Sequence, residues 1–201
     1  MPLRHEAEVD AGLCFQCGHA PPAFARARSW AVMAGSVREA IHRLKYHQDW
    51  ALADVLAAEL LALVEAQGWQ VDAVVPVPLG ERRLRERGYN QAALLAFPLA
   101  LGLGVAYRPR WLQRVRETRS QVGLSAAERR ANVEGAFGAL PDVARGLTVL
   151  LVDDVMTTGA TMHAAAQALR AAGARRVYAV SVARAVLRKI SGWSVASLSG
   201  R

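Results

Sequence analysis

The apolar and polar positions divide the chain into a poorly patterned start, an alternating helix-and-strand body and a polar end. From Trp30 onward the pattern is that of an α/β domain. Val37, Ile41 and Leu44 recur at helical spacing with Ser36 before them as a candidate N-cap, which predicts a helix over 37–46. A second helix is predicted over 50–67, closing at Gly68, since glycine takes the left-handed cap conformation freely. Val71–Val77 is an apolar run without alternation, the signature of a strand buried on both faces. The arginine-rich stretch 80–88 reads as a connection into a helix over 90–101, which Pro98 is expected to kink or shorten. Residues 105–123 read as an irregular strand and a polar loop. Ser125 and Glu128 then predict a capping box for a short helix over 125–132.

The clearest unit comes last. Leu147–Val152 is an apolar strand, Asp153–Gly159 a polar turn, Ala160–Ala172 a helix stopped by Gly173, and Val177–Ala183 a second strand. Strand, turn, helix and strand at these lengths make a βαβ unit, so the sheet should be largely parallel. Residues 1–28 are expected to be an appendage, 29–188 the folded domain and 189–201 a frayed tail.

Composition narrows the class. With 201 residues, 53% hydrophobic and 21% charged, the chain is long and apolar enough for one domain with a core, and a disordered chain is excluded. No window approaches the roughly 20 apolar residues of a membrane span, and the first residues lack a signal-peptide core, so a cytoplasmic location is expected. The net charge is +8, and all its lysines are Lys45 and Lys189 among 25 basic residues. Arginine grips phosphate with a planar fork, so phosphate-bearing partners are one reading of this balance, and on composition alone the favoured one is compositional bias with ordinary solvated faces. The surplus is local: residues 81–135 hold eleven arginines and five glutamates, +6 of the total.

The chemistry gathers in VLLVDDVMTTGATM, residues 149–162. A buried strand runs into Asp153 and Asp154, followed by Thr157, Thr158, Gly159, Ala160 and Thr161 at a helix N-terminus. Unpaired backbone N–H groups, the helix dipole and hydroxyls make an anion site there, and Gly159 lets the backbone approach closely. Carboxylates beside a phosphate cradle suit a ligand with vicinal hydroxyls at one end and a phosphate at the other, such as a ribose 5-phosphate. No GxxxxGK[ST] occurs, which removes the P-loop reading. A receiver-domain pocket would place its acidic pair after the first strand, and this pair comes three-quarters of the way along. Lys45 and Tyr46 are candidates to face the site, against the alternative of a solvated helix end. Trp30, Trp50, Trp69 and Trp111 read as core or cover rather than as a base-stacking platform.

Cys14 and Cys17 stand as Cys-Phe-Gln-Cys-Gly, the spacing of one zinc-ribbon knuckle. Four ligands are needed and a second pair is missing, so a zinc site stands beside a vestigial half-ribbon as the alternatives. The five histidines have no HxxxH or HExxH spacing, which argues against a catalytic metal centre.

VLLVDDVMTTGATM resembles the phosphoribosyl pyrophosphate (PRPP) motif of type I phosphoribosyltransferases. Pro76–Leu79, the run Arg82–Arg87, Arg87-Gly88-Tyr89-Asn90-Gln91, the Ile41–Tyr46 segment and Arg116 through Arg129-Arg130-Ala131-Asn132-Val133 resemble the ComF family, over about residues 14–186. The resemblance implies a Rossmann-like, mainly parallel sheet flanked by helices, with a short half zinc-ribbon appendage. It implies that Asp153 and Asp154 contact the ribose hydroxyls and that Thr157–Thr161 hold the 5′-phosphate. Pro78, Leu79, Arg82 and Arg83 fall at the pyrophosphate loop, and Arg114, Arg116, Arg119 and Gln121 in a mobile loop that closes over the site. Mg²⁺ arriving with PRPP is the implied cofactor, with zinc on Cys14 and Cys17 in doubt. The implied role is in DNA uptake, with single-stranded DNA or DNA-uptake and recombination proteins as partners and oligomers open. The alternative is a non-enzymatic accessory that uses the fold to bind single-stranded DNA.

Overall fold

Strands that are apolar on both faces need cover on both sides, and this chain supplies it with helices flanking one parallel sheet. The structure, a computed structural model, describes residues 21–118 and 125–185. In chain order the elements are β1 (Arg26–Val32), α1 (Gly35–Tyr46), α2 (Ala51–Ala66), β2 (Ala73–Pro76), α3 (Glu81–Arg87), α4 (Gln91–Leu103), β3 (Ala106–Tyr107), β4 (Leu112–Arg114), α5 (Ala126–Val133), β5 (Phe137–Ala139), β6 (Thr148–Met156), α6 (Ala160–Ala171) and β7 (Arg176–Arg184). The main sheet has the order β1-β7-β6-β2-β3 with parallel pairings throughout, so β6 lies at its centre. Strands β4 and β5 form a separate antiparallel pair.

Strand alternation sorts the core into two layers. Leu150 and Val152 of β6, with Val74 and Val180, meet Leu44 of α1, Leu56 and Leu60 of α2, and Leu95 and Leu99 of α4. Val149 and Leu151, with Val75 and Val177, meet Met162, Ala165 and Leu169 of α6, backed by Phe24, Leu112 and Phe137. Each fully buried leucine contributes about 1.5–3 kcal/mol. Among the described residues, no helix is long and apolar enough to cross a membrane.

Several elements differ from the expectations. The central strand runs on to Met156, with Asp153 opposite Ser181 and Val155 opposite Ala183, so the two aspartates belong to the strand rather than to the turn. Their backbones stay in the ladder because β7 also runs on, to Arg184. Conversely, Val71–Val77 shortens to Ala73–Pro76, because Asp72 turns its carboxylate to accept from the Thr148 N–H at 2.7 Å. Residues 81–87 form a helix of their own. Its residues are good helix formers, Glu81–Arg85 and Arg82–Glu86 pair one turn apart, and Gly80 and Gly88 bracket it.

Helix α4 continues past Pro98 to Leu103, because buried Leu95, Leu99 and Ala100 hold it across the bond that proline cannot make. Ser36 is not a cap: the helix starts at Gly35, with Ala34 at the N-cap and no side-chain cap bond. Strand β1 starts at Arg26, so it straddles the boundary drawn at residue 28. The capping box is present, with the Ser125 N–H donating to Glu128 Oε2 at 2.7 Å and the Glu128 N–H donating to Ser125 Oγ at 3.3 Å. Of the tryptophans, Trp69 is buried and stacks on Tyr178 at 4.5 Å, whereas Trp30 and Trp50 are exposed. Cys14, Cys17, Arg119, Gln121 and the 189–201 tail lie outside the described residues.

Candidate functional site

In a parallel α/β sheet, ligands bind beyond the carboxyl ends of the strands. A cavity of about 700 Å³ lies there, lined from β6 and the turn after it, from the Pro78–Leu79 turn, and from α1, α3, α4, β4 and α5.

The aspartate pair divides its duties. Asp154 is 4% exposed, forms an ion pair with Lys45 and accepts from Gln91 Nε2 at 3.3 Å. Burial works to raise its pKa, but the Lys45 charge and the hydrogen bonds from Asp153, Lys45 and Gln91 outweigh it and hold the carboxyl below its ordinary value. Asp153 has no ion pair among the described residues. Burial first, and then the negative charge of Asp154, push its carboxyl well above the usual range. Its Oδ1 accepts from the Asp154 N–H at 2.9 Å. Neighbouring carboxyls pushed in opposite directions are a mark of functional sites.

The run Arg87–Gln91 builds this arrangement. Gly88 takes the left-handed conformation at φ +79° and ends α3, so the chain turns at once into α4. The Tyr89 hydroxyl donates to the Leu44 carbonyl at 2.6 Å, fixing the end of α1 next to Lys45. Asn90 caps α4 by accepting from the Ala92 N–H at 3.0 Å and donates to the Val77 carbonyl at 3.0 Å, tying that helix to the end of β2. Gln91, 4% exposed, accepts from Arg87 and donates to Asp154.

Beyond β6, Thr157, Gly159, Ala160 and Thr161 line the cavity, and Thr158 Oγ1 accepts from the Ala160 N–H at 3.4 Å. Gly159 stands at the N-cap of α6 with φ +81°, a conformation that suits glycine, and offers no side chain to cap the helix. The site therefore presents a helix N-terminus to a ligand.

On the basic side, Pro78, Leu79, Arg82, Arg83 and Arg114 all line the cavity. The Arg82 N–H donates to Glu117 Oε1 at 3.2 Å, and a Cβ at Gly80 would fall 2.5 Å from that carboxylate. Arg114 bonds Thr118 and lies 5.3 Å above the Phe137 ring. Arg116 is directed elsewhere: it donates to the carbonyls of Glu134 at 2.5 Å and Asn132 at 3.3 Å, satisfying the C-terminal end of α5. Lys45 and Tyr46 do face the cavity, as do Arg87, Tyr89, Gln91 and Arg129, which had no site role from sequence. For Lys45 a signal existed: in a chain that otherwise writes arginine, one of two lysines lies on an early helix.

Residues 56–195 match the family described as "Phosphoribosyl transferase domain". Among curated proteins, the chain is 38% identical over 169 residues to DNA utilization protein YhgH of Salmonella typhimurium, covering 82% of this chain and 74% of that one. It is 36% identical over 154 residues to Competence protein F of Haemophilus influenzae, covering 72% and 66%. To Competence protein ComFC of Bacillus subtilis it is 36% identical over 96 residues, covering 48% and 37%. The chain belongs to the phosphoribosyl transferase domain family, in its ComF group.

Proposed function

We propose that this protein is a phosphoribosyltransferase that binds PRPP in the β6 cleft and transfers its phosphoribosyl group. The observation that carries the reading is the opening of the aspartate pair, of Thr157, Gly159, Ala160 and Thr161, and of a row of arginines onto one cavity. The ribose hydroxyls would meet Asp153 and Asp154, and the 5′-phosphate the N-terminus of α6. Loss of diphosphate from the anomeric carbon builds positive charge on the sugar and negative charge on the leaving group. Asp153 would stabilise the first, and Arg82, Arg83 and Arg114 the second. Lys45 and Gln91 hold Asp154 in place.

The donor set fits Mg²⁺ arriving on the diphosphate, because that ion keeps several waters and takes only one or two carboxylates. Asp153 would hold it, and the ion would neutralise leaving-group charge. In this reading the enzyme is cytoplasmic and carries half a zinc ribbon, at Cys14 and Cys17, as an appendage. The zinc content of the purified full chain tests that part. Turnover is tested by magnesium-dependent release of diphosphate from PRPP in the presence of candidate acceptors. Release that stops with Asp153→Asn supports the enzyme reading, and its absence with every acceptor class leaves a binding protein.

One observation favours a second reading, handling of single-stranded DNA. Tyr46 (63% exposed) and Trp50 (53% exposed) stand near the cleft mouth, with Arg87 5.2 Å over the Tyr46 ring and Trp50 5.9 Å from Tyr89. Exposed rings interleaved with arginine suit stacked bases. Relatives bear names of DNA utilization and competence. A salt titration of oligonucleotide binding with and without PRPP separates the readings: competition supports a shared site, and no binding at low salt removes the second.

A further inference from the structure

Arg87 ends α3, half-buried, and Gln91 begins α4, so the two stand on either side of the Gly88 turn. An arginine side chain only donates hydrogen bonds, and an ionised carboxylate only accepts them. A side chain that joins Arg87 to Asp154 must therefore accept at one end and donate at the other. Gln91 does both: its Oε1 accepts from Arg87 Nη1, and its Nε2 donates to Asp154 Oδ1 at 3.3 Å. These partners fix which way the amide points, because a flipped amide would set donor against donor and oxygen against oxygen. An ionised glutamate could serve only the first contact. Arg87 is itself held from the far side. Its guanidinium lies 5.2 Å over the ring of Tyr46, and Tyr46 follows Lys45, the cation paired with Asp154. The contacts thus close a ring, from Lys45 through Asp154, Gln91 and Arg87 to Tyr46 and back along α1. Chained hydrogen bonds in a poorly solvated site polarise one another, so the guanidinium charge strengthens the donation from Gln91 to Asp154.

We propose that Arg87 is a positioning residue for the sugar end of the site: it fixes the Gln91 amide, and the amide with Lys45 sets the Asp154 carboxylate for the ribose hydroxyls. Arg87 acts through Gln91 and does not grip the ligand. The proposal rests on the reading of the cleft as a PRPP site and deepens it, by tracing the geometry of Asp154 to an arginine on a different helix.

The test is a double-mutant cycle on the full chain, read by calorimetry with PRPP and magnesium. Arg87→Met should weaken PRPP binding about fivefold to tenfold, and Gln91→Leu at least as much. The two together should bind within about twofold of Gln91→Leu alone, because Arg87 has no route to Asp154 once the amide is gone. Arg87→Lys should recover most of the loss, since an ammonium also donates to the amide oxygen. Gln91→Glu should bind no better than Gln91→Leu, although it keeps the Arg87 contact. If Gln91→Leu does not fold, Gln91→Asn, one methylene too short to join both partners, completes the cycle. Losses that multiply in the double variant overturn the proposal, in favour of a direct grip of Arg87 on the ligand. Unchanged PRPP affinity in Arg87→Met also overturns it: a lower melting temperature would then make Arg87 a support of the fold, and lost oligonucleotide binding would assign it to the exposed rings. Both results leave the PRPP reading standing. A parent chain that binds no PRPP overturns that reading and this proposal with it.

Discussion

The two walls of the cleft handle their charges differently. On the acidic wall, Asp154 meets Lys45 and Gln91, and Tyr89 and Asn90 pin the helices that carry them. On the basic wall, Arg114 and Arg129 bury guanidinium nitrogens that find no partner. The first wall is assembled by folding, and its polar groups rigidify the site. The second is left to be completed by a ligand. Buried polar networks are stable when filled and costly when half-filled, so the free-energy gain on binding should concentrate at the basic wall and at Asp153, and stability should concentrate at the Lys45–Asp154 pair.

The sharpest attempt to break this contrast removes the acids. Asp153→Asn/Asp154→Asn should weaken PRPP binding by at least about 100-fold, as expected from two charge-assisted hydrogen bonds of roughly 1.5–3 kcal/mol each, with calorimetry as the readout. Next, Lys45→Met should destabilise the fold by about 3–5 kcal/mol in urea titrations, because it leaves Asp154 buried without its cation. Lys45→Met/Asp154→Leu should recover most of that loss. The pH dependence follows from the depressed Asp154 value. Its contribution is present above the ordinary carboxylate range and is lost as pH falls through the folded-state value, so the parent should lose this term in acid and Lys45→Met should not.

Asp153 carries the opposite sign. Its folded pKa is raised, so its contribution is complete below the unfolded value near 4 and is lost as pH rises through the folded value. Asp153→Asn should therefore stabilise the ligand-free chain above pH 4, increasingly up to that value, and the same melting temperatures in parent and variant at pH 7 would refute the assignment. A smaller effect is expected at Asn90. Replacement by alanine removes the α4 cap and the Val77 bond, costing about 1–2 kcal/mol by thermal melting. The smallest is at Arg85, whose pair with Glu81 is exposed: Arg85→Ala should change stability by about 0.5 kcal/mol or less and leave PRPP affinity alone.

The same contrast explains what sequence could reveal. The β6–α6–β7 unit was legible because an apolar run, a glycine turn and a helical period follow in order. Its strand end was not, because two aspartates look like a turn when the extended partner strand is unseen. Strand β1 reads Arg-Ala-Arg-Ser-Trp-Ala-Val, an edge strand with no apolar face long enough to register. Helix α3 has no buried residue, so no apolar period could announce it. The Asp153–Thr161 motif stood out locally, whereas the Lys45–Asp154 pair joins residues more than a hundred positions apart. The burial of Arg129 contradicts what arginine usually does, and only packing exposes it.

The central claim is that the cleft at the carboxyl end of β6 takes PRPP. Calorimetric titration of the full chain with PRPP and magnesium tests it most directly. The account predicts saturable binding of one ligand per chain with a Kd in the range of about 1 μM to 1 mM usual for enzyme substrates, displaced by ribose 5-phosphate. No binding across that range, or binding that survives Asp153→Asn/Asp154→Asn unchanged, would contradict it.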